Sequence, residues 1–257
     1  MESKVVAFKI LITRSRNENI MLAKKIESYG FEPINIPLIK VEKLDLEDIK
    51  VATKKSAYFD WIIITSPNSA KYFFSLVDKK KFNSQIAVTY KKSAKTVQKY
   101  GFNPDFVGDG KGASSLIKGL SAKYNLNGQR LLYPCSAISD DTVKKEAARA
   151  GAKDVVQIPV YKNSPINDNN TASRLLQAYY DVALFYSPSA VNNFVSIFKK
   201  GIVKIDVIQA VAIGPKTATA LKQAGVKHVV EATDPDFRSV IIAIDRLLKE
   251  KKNNILE

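Results

Sequence analysis

The apolar residues of this chain fall into two kinds of run. Short unbroken blocks, "WIIIT" from Trp61, "IAVT" from Ile86, "VALF" from Val182 and "AVAI" from Ala210, lack the polar alternation of a half-exposed strand. Such blocks predict strands buried on both faces. Between them apolar residues recur at helical spacing: Leu22, Ile26 and Tyr29 form one stripe closed by Gly30, and Val143, Ala147 and Ala150 form another closed by Gly151. A glycine there suits the left-handed cap that ends many helices. Strand and helix signals alternate along the chain, which predicts parallel sheets covered by helices on both faces.

The two stripes are copies of each other. A shift of 121 positions places Leu22 on Val143, Gly30 on Gly151, "KILITRS" on "RLLYPCS", and Ser66 on Ser187 within "TSPNS" and "YSPSA". Further on the shift becomes 124, and Ser93, Ala94, Val97 and Gly101 fall on Thr217, Ala218, Leu221 and Gly225. A duplicated α/β unit is expected, hence two doubly wound parallel-sheet (flavodoxin-like) domains. A plain cut would fall near Asn127 and Gly128. "NIPLIKVE" and "QIPVYKN" instead sit at equivalent places with Pro37 and Pro159 before β-type residues, and proline in a strand belongs at an edge or a linker. Paired crossings there would let the chain leave one domain and return to it.

Composition narrows the chemistry. An apolar content of 46% over 257 residues is enough to build cores. No run reaches the roughly 20 apolar residues needed to span a bilayer, and no signal-peptide pattern opens the chain, so a cytoplasmic protein is expected. A single cysteine, Cys135, and a single histidine, His228, exclude a Cys/His metal set and a Ser/His/Asp triad away from that one histidine. The net charge of +15 predicts attraction for anions. Of the 40 basic residues 33 are lysine, whose compact, hydrated charge lacks the planar fork used to read bases, so nucleic acid is not the expected partner. "GDGKGAS" from Gly108 lacks phosphate-loop spacing and reads as a loop, and Asp140 and Asp141 read as helix-opening acids.

In open α/β sheets ligands bind beyond the carboxyl ends of the strands. The residues predicted there are Thr13 to Arg16; Thr65, Ser66 and Asn68; Tyr90 to Ser93; Ser136 and Ser139; Ser187 and Ser189; and Gly214, Lys216 and Thr217. Hydroxyls, cations and glycine at so many helix starts suit carboxylates or phosphates. Each Ser-Pro alone would only be a cap with proline in the first turn.

The ordered set "LITRSR", "IPLIKV", "WIIITSPNSA", "IAVTYKKSA", "QIPVYKN", "ALFYSPSAVNNF" and "VAIGPKTATALKQAGV" resembles the uroporphyrinogen-III synthase family over essentially the whole chain. The resemblance implies two α/β domains joined by a two-stranded β-ladder: residues 1–35 with 164–257, residues 43–156, and linkers 36–42 and 157–163. It implies a cofactor-independent, metal-free, monomeric enzyme of haem and other tetrapyrrole synthesis. That enzyme closes hydroxymethylbilane, a linear octacarboxylate tetrapyrrole, with loss of water and inversion of ring D. Tyr161 in "IPVYKN" is the implied catalytic residue. Arg14, Thr65, Ser66, Asn68, Ser93, Ser136, Ser187, Ser189, Gly214, Lys216 and Thr217 are the implied substrate-binding set. The chain departs from the family where many bacterial members carry Arg-Gly, having Tyr133, Pro134, Cys135 and Ser136 there, and where Tyr90 replaces a common glycine. The competing reading is a non-catalytic two-lobed binding or regulatory module for an anionic ligand.

Overall fold

The computed structural model describes residues 7–44, 58–198, 205–234 and 236–253. The chain divides into two compact units, one made of residues 1–41 and 164–257 and the other of residues 42–163.

In the first unit β1 (Lys9–Ile12), β2 (Glu32–Asn35), β9 (Val182–Phe185), β10 (Gln209–Ala212) and β11 (His228–Glu231) form one sheet in the order β11-β10-β9-β1-β2. Its strand pairs are parallel throughout. The unbroken apolar blocks serve two cores because alternate residues point to opposite faces. Leu11, Ala183 and Phe185 pack with α6 (Asn169–Gln177), α7 (Pro188–Phe198) and α8 (Pro215–Gln223). Ile10, Ile12, Val182 and Leu184 pack on the other face with α1 (Arg16–Glu27) and α9 (Phe237–Asn253). Asn193 of α7 is buried and donates to the carbonyls of Leu38, at 2.5 Å, and Ile166, at 3.3 Å. It thereby ties together the two segments where the chain leaves this unit and returns to it.

The second unit contains β4 (Trp61–Ile64), β5 (Gln85–Val88), β6 (Phe106–Val107), β7 (Arg130–Ser136) and β8 (Asp154–Pro165), with β3 (Ile39–Lys43) beside β8. The sheet order is β3-β8-β7-β4-β5-β6. Ile62 and Ile64 face α2 (Pro67–Phe74) and α3 (Lys91–Lys99), whereas Trp61 and Ile63 face α4 (Ala113–Lys123) and α5 (Thr142–Arg149).

The repeat makes the two sheets equivalent. β7 and β8 correspond to β1 and β2, and β4, β5 and β6 correspond to β9, β10 and β11. Read that way both sheets have the same spatial order, although the chain enters them at different strands. Gly30 and Gly151, which follow the equivalent helices α1 and α5, have φ of 82° and 84°, the left-handed conformation that side chains resist. Each sheet reverses winding direction at one place, between β1 and β9 in the first unit and between β7 and β4 in the second. Doubly wound sheets bind ligands at such switch points.

Candidate active site

At the switch point of the second unit β4 and β7 are paired only at Trp61 with Leu131 and at Ile62 with Leu132. Beyond Leu132 the two strands no longer pair, so Pro134, which has no N–H to give, is tolerated inside β7. The gap is bridged by side chains. The hydroxyls of Thr65 and Tyr133 lie 3.2 Å apart. Tyr133 is buried, which pushes its phenol pKa up, while bonds from Thr65 and Ser139 pull the other way. It remains a neutral phenol at ordinary pH.

Tyr161 reaches the same place from β8. Its backbone is paired with Ser136 across an irregularity in the β7 ladder, and its carbonyl accepts from the Ala137 N–H at 2.8 Å. The side chain is buried, with its ring 6.0 Å from that of Tyr72 and its hydroxyl 3.2 Å from Ser66 Oγ. Ser66 caps α2 by accepting the Ser69 N–H at 3.0 Å, and Pro67 occupies the first turn. Ser66 Oγ also lies 2.9 Å from Ser69 Oγ. Asn68 is half-buried on the first turn of α2. Ser136 Oγ accepts from Ile138 N–H at 3.5 Å, and the Ser136 N–H donates to Ser139 Oγ at 3.2 Å.

Ser93, on the first turn of α3, is fully buried, and its hydroxyl has no hydrogen-bond partner among the described residues. The structure therefore brings two hydroxyl pairs, Thr65 with Tyr133 and Ser66 with Tyr161, to the end of β4. Tyr133 and Ser69 escaped sequence reasoning. Tyr133 sits inside an apolar strand and looked like a lost cation, and Ser69 looked like ordinary helix.

The switch point of the first unit is built differently. Thr13 is fully buried and spends its hydroxyl on the carbonyl of Leu184 at 2.8 Å, locking β1 to β9. Arg14 lies over the ring of Tyr186, 4.2 Å from its centroid, and pairs with Glu18 one turn into α1. The other oxygen of Glu18 accepts from Ser15 Oγ at 2.6 Å. The guanidinium thus already holds a carboxylate. Burial raises the Tyr186 pKa, and Arg14 pulls it down. Glu18 and Tyr186 had no signal in the sequence beyond the i, i+4 spacing of Glu18 from Arg14.

Ser187 caps α7 through the Ala190 N–H at 3.2 Å, and Ser189 is half-buried on its first turn. Gly214 starts α8 in extended conformation, with open space where a side chain would be. Lys216 is exposed and Thr217 buried. Pro188, Asn192, Lys216 and Thr219 line an open groove of about 500 Å³ between α7 and α8.

Among the described residues no helix is long and apolar enough to cross a membrane, and no group of three His, Cys, Asp or Glu side chains could hold a metal ion. Cys135 is buried, which pushes its thiol pKa up.

The chain is 26% identical over 266 residues to a porphyrin biosynthesis protein HemD of Ruminiclostridium josui, covering all of this chain and 51% of that one. It therefore spans about half the length of that relative. It is also 26% identical over 250 residues to a uroporphyrinogen-III synthase of Chlorobaculum parvum, covering 93% of this chain and 99% of that one. Two solved structures share the fold. One is a mutant uroporphyrinogen III synthase of Thermus thermophilus, with TM-score 0.59, 19% identity and coverage of 95% and 100%. The other is a uroporphyrinogen-III synthetase of Helicobacter pylori, with TM-score 0.60, 17% identity and coverage of 94% and 99%. The family model described as uroporphyrinogen-III synthase HemD matches residues 21–242, most of the sequence, and the chain belongs to that family.

Proposed function

We propose that this protein converts hydroxymethylbilane to uroporphyrinogen III, losing water and inverting ring D, as a cyclising hydro-lyase of tetrapyrrole synthesis. The observation that carries the proposal is the meeting of Tyr161 with Ser66, beside the Tyr133–Thr65 pair, at the switch point of the second unit. The reaction breaks the bond between the terminal carbon and its hydroxyl oxygen. The oxygen leaves as water with a proton from Tyr161, a neutral acid, which avoids setting an ammonium against the cation that develops. Closure with inversion forms two carbon–carbon bonds to ring D and breaks the one that first joined it to its neighbour, and the proton then released restores the phenol.

The remaining work is to hold a flexible octacarboxylate in the folded arrangement that inversion requires, which is catalysis by positioning. Helix starts supply N–H groups and a positive dipole end for carboxylates. Ser136, Asn68 and Thr65 in the second unit, with Ser187, Ser189, Gly214, Lys216 and Thr217 in the first, are assigned to that role. A substrate carboxylate competes with Glu18 for the Arg14 terminal nitrogen that Glu18 holds. Ser93 contributes through the start of α3, its own hydroxyl being buried. A cytoplasmic, monomeric and cofactor-independent working form, with residues 36–42 and 157–163 as linkers, belongs to the same proposal.

The test is an isomer ratio, because hydroxymethylbilane closes to the type I product without enzyme. Added protein should divert product to type III. If type I alone forms, the activity is wrong and the non-catalytic anion-binding reading takes its place.

A further inference from the structure

We propose that Ser66 and Ser69 act on the reaction through Tyr161, as an ordered pair of hydroxyls that donates to the Tyr161 oxygen and so turns the Tyr161 proton away from Ser66, and not as ligands of a substrate carboxylate. This rests on the synthase reading for its kinetic part, and its titration part stands alone.

A serine hydroxyl has one proton and two lone pairs. Ser69 is 1% exposed, and Ser66 Oγ is the hydrogen-bond partner of its hydroxyl among the described residues, at 2.9 Å. A buried O–H left without an acceptor is costly, so Ser69 donates to Ser66. The Ser69 N–H donates to the same oxygen at 3.0 Å. Both lone pairs of Ser66 are then filled. Its own proton goes to its third neighbour, the Tyr161 oxygen at 3.2 Å. Tyr161 is thereby an acceptor toward Ser66. Its proton is not given to Ser66, and the phenolate left after proton transfer would receive a hydrogen bond already in place.

The repeat provides an internal comparison. Ser187 is the copy of Ser66 and caps α7 through the Ala190 N–H at 3.2 Å. The position equivalent to Ser69 is Ala190, and the position equivalent to Tyr161 is Lys40, each by the shift of 121. Capping therefore needs Ser66 but not the Ser69 hydroxyl. The extra hydroxyl occurs in the copy that faces a tyrosine.

Tyr72 from α2 and Tyr133 from β7 are phenols that face Tyr161. The experiment follows the Tyr161 resonance in protein carrying carbon-13 at the tyrosine ring carbon that bears the hydroxyl, assigned by its loss in Tyr161→Phe. Ser69→Ala makes the α2 cap like that of α7, and Ser66→Gly keeps most of the cap while removing the hydroxyl. Both should raise the pH at which Tyr161 titrates, because each weakens donation to the phenolate. Ser66→Thr, which retains a hydroxyl, should restore it. In turnover, Ser66→Gly should lower kcat about tenfold and Ser69→Ala a few-fold with KM little changed, and neither should lower kcat further in Tyr161→Phe.

An unmoved Tyr161 titration overturns the proposal, as does a raised KM at unchanged kcat or an effect that multiplies with Tyr161→Phe. If the wild-type protein forms no type III isomer, the synthase reading fails, and the titration alone decides the role of the two serines.

Discussion

Tyr161→Phe separates chemistry from folding. The change removes one oxygen from a buried ring and leaves the ring in place against Tyr72 at 6.0 Å. The lost contact is a neutral hydroxyl pair at 3.2 Å, whose net contribution to stability is about 1 kcal/mol. Ser66 keeps the Ser69 N–H and hydroxyl as donors, and because it is only half-buried the proton it gave to Tyr161 can pass to water. For a chain of this size 1 kcal/mol corresponds to a fall in Tm of roughly 2–4 °C. Loss of a positioned general acid lowers turnover by about 10²–10⁴-fold, which is roughly 3–5 kcal/mol of barrier. The catalytic effect should therefore exceed the folding effect several-fold in free energy. The assay is the initial rate of type III formation from hydroxymethylbilane, with the melting curve of the same preparation beside it. Wild-type turnover in the variant, or a rate loss no larger than the unfolded fraction explains, removes Tyr161 from the mechanism.

Glu18→Gln should free Arg14 for an incoming carboxylate and lower KM a few-fold; an unchanged or raised KM would show that the Arg14–Glu18 pair only braces α1. Asn193→Ala should cost about 1–3 kcal/mol in urea unfolding, because the Ile166 carbonyl loses its Asn193 donor whereas the Leu38 carbonyl keeps the Ile166 N–H. Gly151→Ala should destabilise more than Gly30→Ala: both positions have left-handed φ, but a side-chain carbon at 151 would sit 3.0 Å from Asn127 Oδ1 and one at 30 meets open space. Tyr180 has its pKa pushed up to about 12 by burial. An unfolded tyrosine ionises near pH 10 while the folded one does not, so its stabilising effect is present below about pH 10 and lost as pH rises to about 12. Tyr180→Phe should flatten that loss, worth on the order of 3 kcal/mol, and an identical alkaline unfolding curve would refute the assignment.

Much of the fold was legible because it rests on local chemistry. The doubly buried strands announce themselves in blocks such as Trp61 to Ile64, and the helix starts in the Ser-Pro pairs, since caps and periodicity act over a few residues. The left-handed glycines at 30 and 151 were readable for the same reason. The candidate site was legible as a list of strand ends, not as a site. Nothing near Ser66 in the chain indicates that Tyr161, 95 positions on, donates to it or accepts from it. Arg14 read as a substrate-binding cation because neither its stacking on Tyr186 nor the rotamer that pairs it with Glu18 can be deduced from spacing alone.

The sequence by itself determined that strands and helices alternate, that the pattern is duplicated, and that hydroxyls follow the strands, because each is set by a residue and its near neighbours. Only the tertiary structure decided which strand ends meet. Strand order comes from pairing between distant residues, such as Ile10 with Val182 and Trp61 with Leu131, and it puts each reversal of winding between two strands that are far apart in the chain. "TSPNS" is a helix cap by composition. It faces a tyrosine because β4 parts from β7 where β8 brings Tyr161 in.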